Sequence, residues 1–265
     1  MESMDVLELR DGSSTSTPRS VSEEVPLTIE VNDHELATLL CSPDHLRNLV
    51  VGFLYTSGII ADVSSVNTLV IDSERFHASV RIDGTLDEFV FKRIYTSGCG
   101  KGVIFHNPVD VMHKTRMDDR FCLKPQEITS LMRAFTHGSS EHSRTRGVHS
   151  GALASQEGIL IFRDDIGRHN ALDKVIGEAL DQSLSLNDKV FLTTGRISSE
   201  ILSKVLRCRI PVLAALGSPT NQAVKLARVA NLTLISHVRG SKMDVYSGES
   251  RLMGECRVQE KEDHQ

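Results

Sequence analysis

Residues 189–238 read KVFLTTGRISSEILSKVLRCRIPVLAALGSPTNQAVKLARVANLTLISHV, and the fold is decided there. KVFLTTG, PVLAALG and LTLISHV are strand-length apolar stretches rich in Val, Leu and Ile, and the first two end in glycine. Between them, SSEILSKVLRC and PTNQAVKLARVAN repeat apolar residues three and four apart, the spacing of helices that bury one face. Strand and helix exchanged this regularly imply a parallel or mixed sheet with helices packed on it, because a parallel crossover needs a helix-length connection.

Working back from this run, GALAS and GILIFRD read as strands and NALDKVIGEALD as a helix. EHSRTRGVHSG is polar and reads as a loop, while KPQEITSLMRAFTHGSS is a helix opened by Pro125 and closed by Gly138. Residues 123–246 therefore form a C-terminal α/β domain. Residues 25–122 form a smaller, sheet-containing N-terminal region. Its strands are VPLTIEVND, TLVIDS, FHASVRID and EFVFKRIYTS, and its helix HLRNLVVGFLYTSG is expected to be capped by Ser42-Pro43-Asp44 and ended by Gly58. Residues 1–24, rich in Ser, Thr and charge, are expected to stay flexible, and residues 247–265 to form a frayed tail.

Composition narrows the function. Thirty Lys+Arg against 35 Asp+Glu give a net charge of -5, so no global basic field draws in nucleic acid or an anionic membrane, and any anion site must be local. No run approaches the roughly 20 apolar residues of a spanning helix, and MESMDVLELRDGSSTSTPRS carries no apolar core of a signal peptide, so a cytoplasmic location is expected. The five cysteines, Cys41, Cys99, Cys122, Cys208 and Cys256, are odd in number and form neither a disulfide framework nor a C-x-x-C pair.

Four stretches can carry chemistry. In Tyr95-Thr96-Ser97-Gly98-Cys99-Gly100-Lys101-Gly102 three glycines leave a thiol little steric cover, and Lys101, Lys92 and Arg93 favour thiolate; the competing reading is a plain glycine turn. Cys41 and Cys208 read as small apolar packers. The run 163–174, RDDIGRHNALDK, passes from a strand end into a helix, where open α/β sheets bind ligands. There Asp165 can accept from a base or ribose, Arg168 and Lys174 can meet phosphate, and His169 can shuttle a proton, with Gly167, Asn170 and Asp173 completing the turn; the alternative is a capping network with ion pairs.

The third stretch, Thr193-Thr194-Gly195-Arg196-Ile197-Ser198-Ser199-Glu200, offers amides, a guanidinium and helix-capping serines to an anion, and Gly217-Ser218-Pro219-Thr220 repeats the arrangement one strand later. Either is an ordinary turn by itself; two at one sheet edge make a nucleotide-sized cradle. The fourth comprises Arg146-Gly147-Val148-His149-Ser150-Gly151 and the polar turn His237-Val238-Arg239-Gly240-Ser241-Lys242. His149 is read as a ligand contact or structural hydrogen bonder, because the H-x-E and P-C-x-x-C patterns of a zinc deaminase are missing and no resident metal is expected.

Taken together, SGCG, GVHSGALA, RDDIGRHNALDKVIG, TTGRISSEI, PVLAALGSPTNQAVKLA and VRGSKMDVYS resemble the FdhD family, accessory proteins of formate dehydrogenases, from about Val25 to Tyr246. The resemblance implies a cytidine deaminase-like α/β core with a mixed sheet and flanking helices, a smaller N-terminal domain and a homodimer. It implies a sulfurtransferase that takes persulfide sulfur from a cysteine desulfurase and passes it to the molybdenum cofactor, bis-molybdopterin guanine dinucleotide, for formate dehydrogenase. It also points to 237–242 as a cofactor-binding segment, whereas 165–174 and 195–199 are cofactor candidates from their turn chemistry. Many members carry C-x-x-C in a mobile loop, with the persulfide on the first cysteine. Here Cys99 has Gly102 at the second position; in the other register Cys99 is the second cysteine and Thr96 stands at the first. With one thiol in the loop, a cofactor-binding chaperone that transfers no sulfur is the rival reading.

Overall fold

In the computed structural model, which describes residues 1–83, 116–118 and 120–254, the predicted alternation of strands and helices is present. The first strands are β1 (Glu2–Arg10), β2 (Ser13–Val21), β3 (Val25–Val31) and β4 (His34–Cys41), followed by helix α1 (Leu46–Thr56), β5 (Val66–Asp72) and β6 (His77–Ile82). Then come α2 (Pro125–Thr136), α3 (Ser140–Thr145), β7 (His149–Ser155), β8 (Gly158–Asp165) and α4 (Arg168–Asp181). The chain continues with β9 (Val190–Thr193), α5 (Ser199–Arg207), β10 (Val212–Ala215), α6 (Asn221–Val229), β11 (Thr233–Arg239) and β12 (Lys242–Ser247). One sheet runs β4-β3-β6-β5 and another β12-β11-β10-β9-β7-β8. In the second, β9, β10 and β11 are parallel and β12 is antiparallel to β11, which makes it mixed.

The chain divides into two compact units that do not follow the expected boundary at residue 122. One takes in the N-terminal strands and α1 with segments Phe135–Ala152 and Ile161–Leu184, so α4 belongs with the N-terminal elements; the other includes Leu153–Leu160 and everything from Ser185. The reason for the first grouping is a glycine contact. A Cβ on Gly52 would overlap the Asp173 carbonyl and one on Gly177 that of Asn48, so α1 and α4 meet backbone to backbone. In the same unit Leu27, Ile29 and Val31 alternate inward from β3 onto Leu49, Val50 and Leu54 of α1, each worth about 1.5–3 kcal/mol when fully buried.

Several expectations are corrected. Residues 1–24 contain the β1–β2 hairpin, closed at Asp11 (φ 50) and Gly12 (φ 82), a pair suited to a two-residue turn. VPLTIEVND does not run on as strand through its end: Asn32 and Asp33 both take positive φ and turn the chain into β4, whose weak alternation hid it. Ser42, Pro43 and Asp44 do not cap α1, whose N-cap is His45 in the left-handed region, because Ser42 and Asp44 bond elsewhere; Gly58, at φ 82, follows the helix end as expected. EHSRTRGVHSG is not all loop, since Ser139 accepts from His142 N and caps α3, and β7 starts at His149. The expected frayed tail begins anchored: Arg251 is fully buried and donates to Asn231 O at 2.7 Å and Thr233 Oγ1 at 3.1 Å. The strand EFVFKRIYTS and residues 255–265 lie outside the described residues. No helix among the described residues is long and apolar enough to cross a membrane.

Candidate functional site

Because β9, β10 and β11 are parallel, the turns that come after them gather at one sheet edge, where open α/β sheets take ligands. The turn after β9 is stiffened by Thr193 Oγ1, which accepts from Gly195 N at 3.1 Å, and Ser198 caps α5 by accepting from Ile201 N at 3.3 Å. The turn after β10 is zipped to it, with Ile197 N donating to Ser218 O at 3.1 Å and Thr220 N to Ile197 O at 2.9 Å. Gly217 must be glycine there, since its Cβ would stand 2.6 Å from Gly195 O. Arg196 is exposed, Ser199 half-buried at the start of α5, and Ser198 and Gly195 buried.

The third turn, between β11 and β12, exposes Arg239, Gly240, Ser241 and Lys242, with Gly240 at φ 59. Val238 is buried, so it offers a ligand no side chain. His237 is half-buried, sits at φ 53 beside a register shift in the β11–β12 pairing, and joins two other side chains. Its Nε2 is 2.7 Å from Ser218 Oγ and its Nδ1 2.8 Å from Asp244 Oδ2. Asp244 is not among the residues the sequence singles out, because KMDVYS does not stand out as a strand; its alternation is the signal that places Asp244 across from β11.

The run 163–174 lies in the other unit and is built differently. Asp165, fully buried at the end of β8, accepts from Ser42 N (3.1 Å), Gly167 N (2.8 Å) and Asn170 Nδ2 (3.0 Å) and pairs with Lys174 Nζ at 2.8 Å. Lys174 Nζ also donates to Ser42 O at 3.1 Å and Asp44 Oδ1 at 2.5 Å, which uses its three protons. Asn170 donates to Leu40 O at 2.8 Å, and Asp173 accepts from Thr56 Oγ1 at 2.7 Å. Burial alone would depress the Lys174 pKa; the Asp165 and Asp44 carboxylates outweigh it and hold the ammonium above the ordinary lysine value. Asp165, Asn170, Asp173 and Lys174 thus bind protein groups of their own unit, the capping network that was the alternative for this run. Arg168 and His169 are half-buried in the first turn of α4, after its N-cap Gly167.

Cys99, with Lys92, Arg93 and Lys101, lies outside the described residues. Cys41 and Cys208 are free and buried, as expected of packers. Ser150 donates to Asp164 at 2.6 Å from the strand that His149 begins. Among the described residues no group of three or more His, Cys, Asp and Glu is placed to hold a metal ion.

The family model described as FdhD/NarQ family matches residues 22–253. Relatives named sulfur carrier protein FdhD include one from Geobacillus kaustophilus, 35% identical over 251 residues that cover 94% of this chain and 95% of the relative. Another, from Listeria monocytogenes, is 38% identical with 88% and 91% covered, and one from Bacillus subtilis is 34% identical with 94% and 96% covered. A crystal structure described as a putative formate dehydrogenase accessory protein from Desulfotalea psychrophila superposes with a TM-score of 0.79 at 25% identity, over 95% of this chain and 98% of that one.

Proposed function

This chain belongs to the FdhD/NarQ family, and from that premise we propose that it is a sulfur carrier for formate dehydrogenase that works through a persulfide on Cys99. The Cys99 thiolate attacks the terminal sulfur of a cysteine desulfurase persulfide; the new S–S bond forms on Cys99 and the desulfurase cysteine leaves as thiolate. The outer sulfur then passes to bis-molybdopterin guanine dinucleotide, the molybdenum cofactor, as substrate; the S–S bond on Cys99 breaks and Cys99 leaves as thiolate. The chain acts in the cytoplasm, as a homodimer.

The observation that carries the cofactor half is the edge where three turns meet with exposed Arg196, Arg239 and Lys242 around zipped backbones. A guanine nucleotide's phosphates suit guanidinium groups and a helix N-terminus capped by Ser198, while Gly195, Gly240 and Ser241 allow close backbone approach. Ser199 and His237 complete this edge. The turn at Gly167, Arg168 and His169, in the other unit, is a separate candidate for a polar ligand group, whereas the bonds of Asp165, Asn170, Asp173 and Lys174 give those four the task of holding α4 in place.

The sulfur half rests on a thiol among three glycines beside Lys101. That the run Cys99-Gly100-Lys101-Gly102 holds one cysteine favours a second reading, a chaperone that binds the guanylated cofactor and transfers no sulfur. One experiment separates them: intact mass of the wild type and Cys99→Ser after incubation with an active cysteine desulfurase and cysteine. A reducible gain of one sulfur atom, lost in the mutant, is the expected result. No gain in either protein removes sulfur transfer and leaves the chaperone.

A further inference from the structure

We propose that Ser218, His237 and Asp244 form a hydrolytic triad that cleaves small carboxylic esters, an activity that shares His237 and its turn with the edge assigned above to the cofactor. The proton positions come from donor and acceptor counting. An ionised Asp244 can only accept, so His237 Nδ1, 2.8 Å from Oδ2, carries the hydrogen. In the neutral ring Nε2 then has only a lone pair, and the Ser218 hydroxyl, 2.7 Å away, donates to it. Nucleophile, base and orienting carboxylate thus stand in the order acyl transfer requires, an order recognised by geometry and not by sequence position.

The backbone around the trio departs from its regular pattern where the base is placed. His237 holds φ 53, a left-handed conformation inside a strand, and the β11–β12 register shifts between Ser236 and Arg239. Such irregularities re-aim side chains next to active sites. The preceding residue anchors the nucleophile's turn, because Ser236 Oγ donates to Gly217 O. Ser218 itself lies between a parallel strand and a helix, and Gly217 presses against Gly195, so its turn is fixed on both sides.

The reaction balances with water as the only co-reactant. Ser218 Oγ bonds to the acyl carbon while His237 Nε2 takes its proton; the C–O bond to the alcohol breaks and that proton goes to the leaving oxygen. Water, deprotonated by the same nitrogen, then attacks the acyl carbon, and Ser218 departs with the proton returned. His237 and Asp244 side chains are 38% and 43% exposed, so the site suits small acyl groups and does not exclude water.

The test uses the full chain with a fluorophosphonate probe, peptide mass mapping and hydrolysis of p-nitrophenyl acetate. The expected result is one adduct on Ser218, formed with loss of fluoride. It should be absent in Ser218→Ala and slowed about 100-fold in His237→Gln, the scale of a general base. Ester hydrolysis should fall in parallel. A folded wild type that gives no adduct on Ser218, or labelling that His237→Gln leaves unchanged, overturns the proposal and reduces the trio to a tie between two turns.

Discussion

Cys41 is a thiol that the fold withdraws from chemistry. Desolvation first, and the neighbouring Asp165 carboxylate second, push it from 9.0 to about 12, against a smaller pull from Lys174. Since the thiolate is the reactive form, Cys41 is expected to resist iodoacetamide at pH 8 in the native state. A folded value above the unfolded one means the thiol's contribution to stability is complete below pH 9 and is lost as pH rises toward 12. One proton corresponds to at most about 1.4 kcal/mol per pH unit. Urea unfolding between pH 8 and 11 should therefore fall more steeply for the wild type than for Cys41→Ala. Lys174, raised in the same sense, also loses its contribution at high pH but is common to both proteins. Equal slopes would show that Cys41 is not held as described. Packing of Cys41 and Cys208 was legible from residue type alone, whereas the use of Ser42 and Asp44 was not: a Ser-Pro-Asp run reads as a cap until Lys174, 130 positions away from Asp44, takes their oxygens.

Elements were legible wherever apolar spacing repeats over enough residues to rise above local noise. The helices α1, α2, α4, α5 and α6 and the strands β7–β11 lie where their patterns put them. What was illegible depends on partners. β4 buries only Leu36 and Cys41, too few positions to declare a strand, and β12 is mostly half-buried. Each exists because a neighbour supplies its hydrogen bonds. For the site, the turn chemistry at 195–199 and 237–242 could be read locally, but the meeting of His237 with Asp244 needed the β11–β12 hairpin. The α1–α4 contact was equally hidden, because Gly52 and Gly177 look like poor helix residues until the backbones touch. Gly52→Ala would improve helix propensity yet drive a methyl into the Asp173 carbonyl, so it should lower stability by about 1–3 kcal/mol, the range of an overpacked core. The urea midpoint measures this; an unchanged or raised midpoint would mean the helices stand farther apart.

For the whole molecule, burial is distributed unevenly. The strand β3 from Val25 onward buries every second side chain, yet β1 and β2 have no fully buried side chain: Leu7 and Leu9 are 63% and 73% exposed, and beyond their nine cross-strand pairs the hairpin meets the rest of its unit where β2 packs on α3. A two-stranded hairpin covered only where β2 meets α3 is at best marginal in water, so this one adds little to the stability of the rest of its unit. Ser22 then ties the chain into the unit: its hydroxyl donates to Thr145 Oγ1 at 2.9 Å and lies under Gly147. Deleting residues 1–21 while keeping Ser22 should therefore leave the melting temperature within about 2 °C, less than the loss of one ordinary contact in a chain of this size. The deletion also removes exposed Val6, Leu7, Leu9 and Val21, so solubility should hold or improve. Thermal denaturation and a solubility measurement on the two proteins check both points. A drop of about 5 °C or more, beyond the shift that one kcal/mol produces in a chain of this size, would mean that the hairpin's apolar side chains are covered in solution, and comparing the two proteins' oligomeric states would then show whether a second copy covers them.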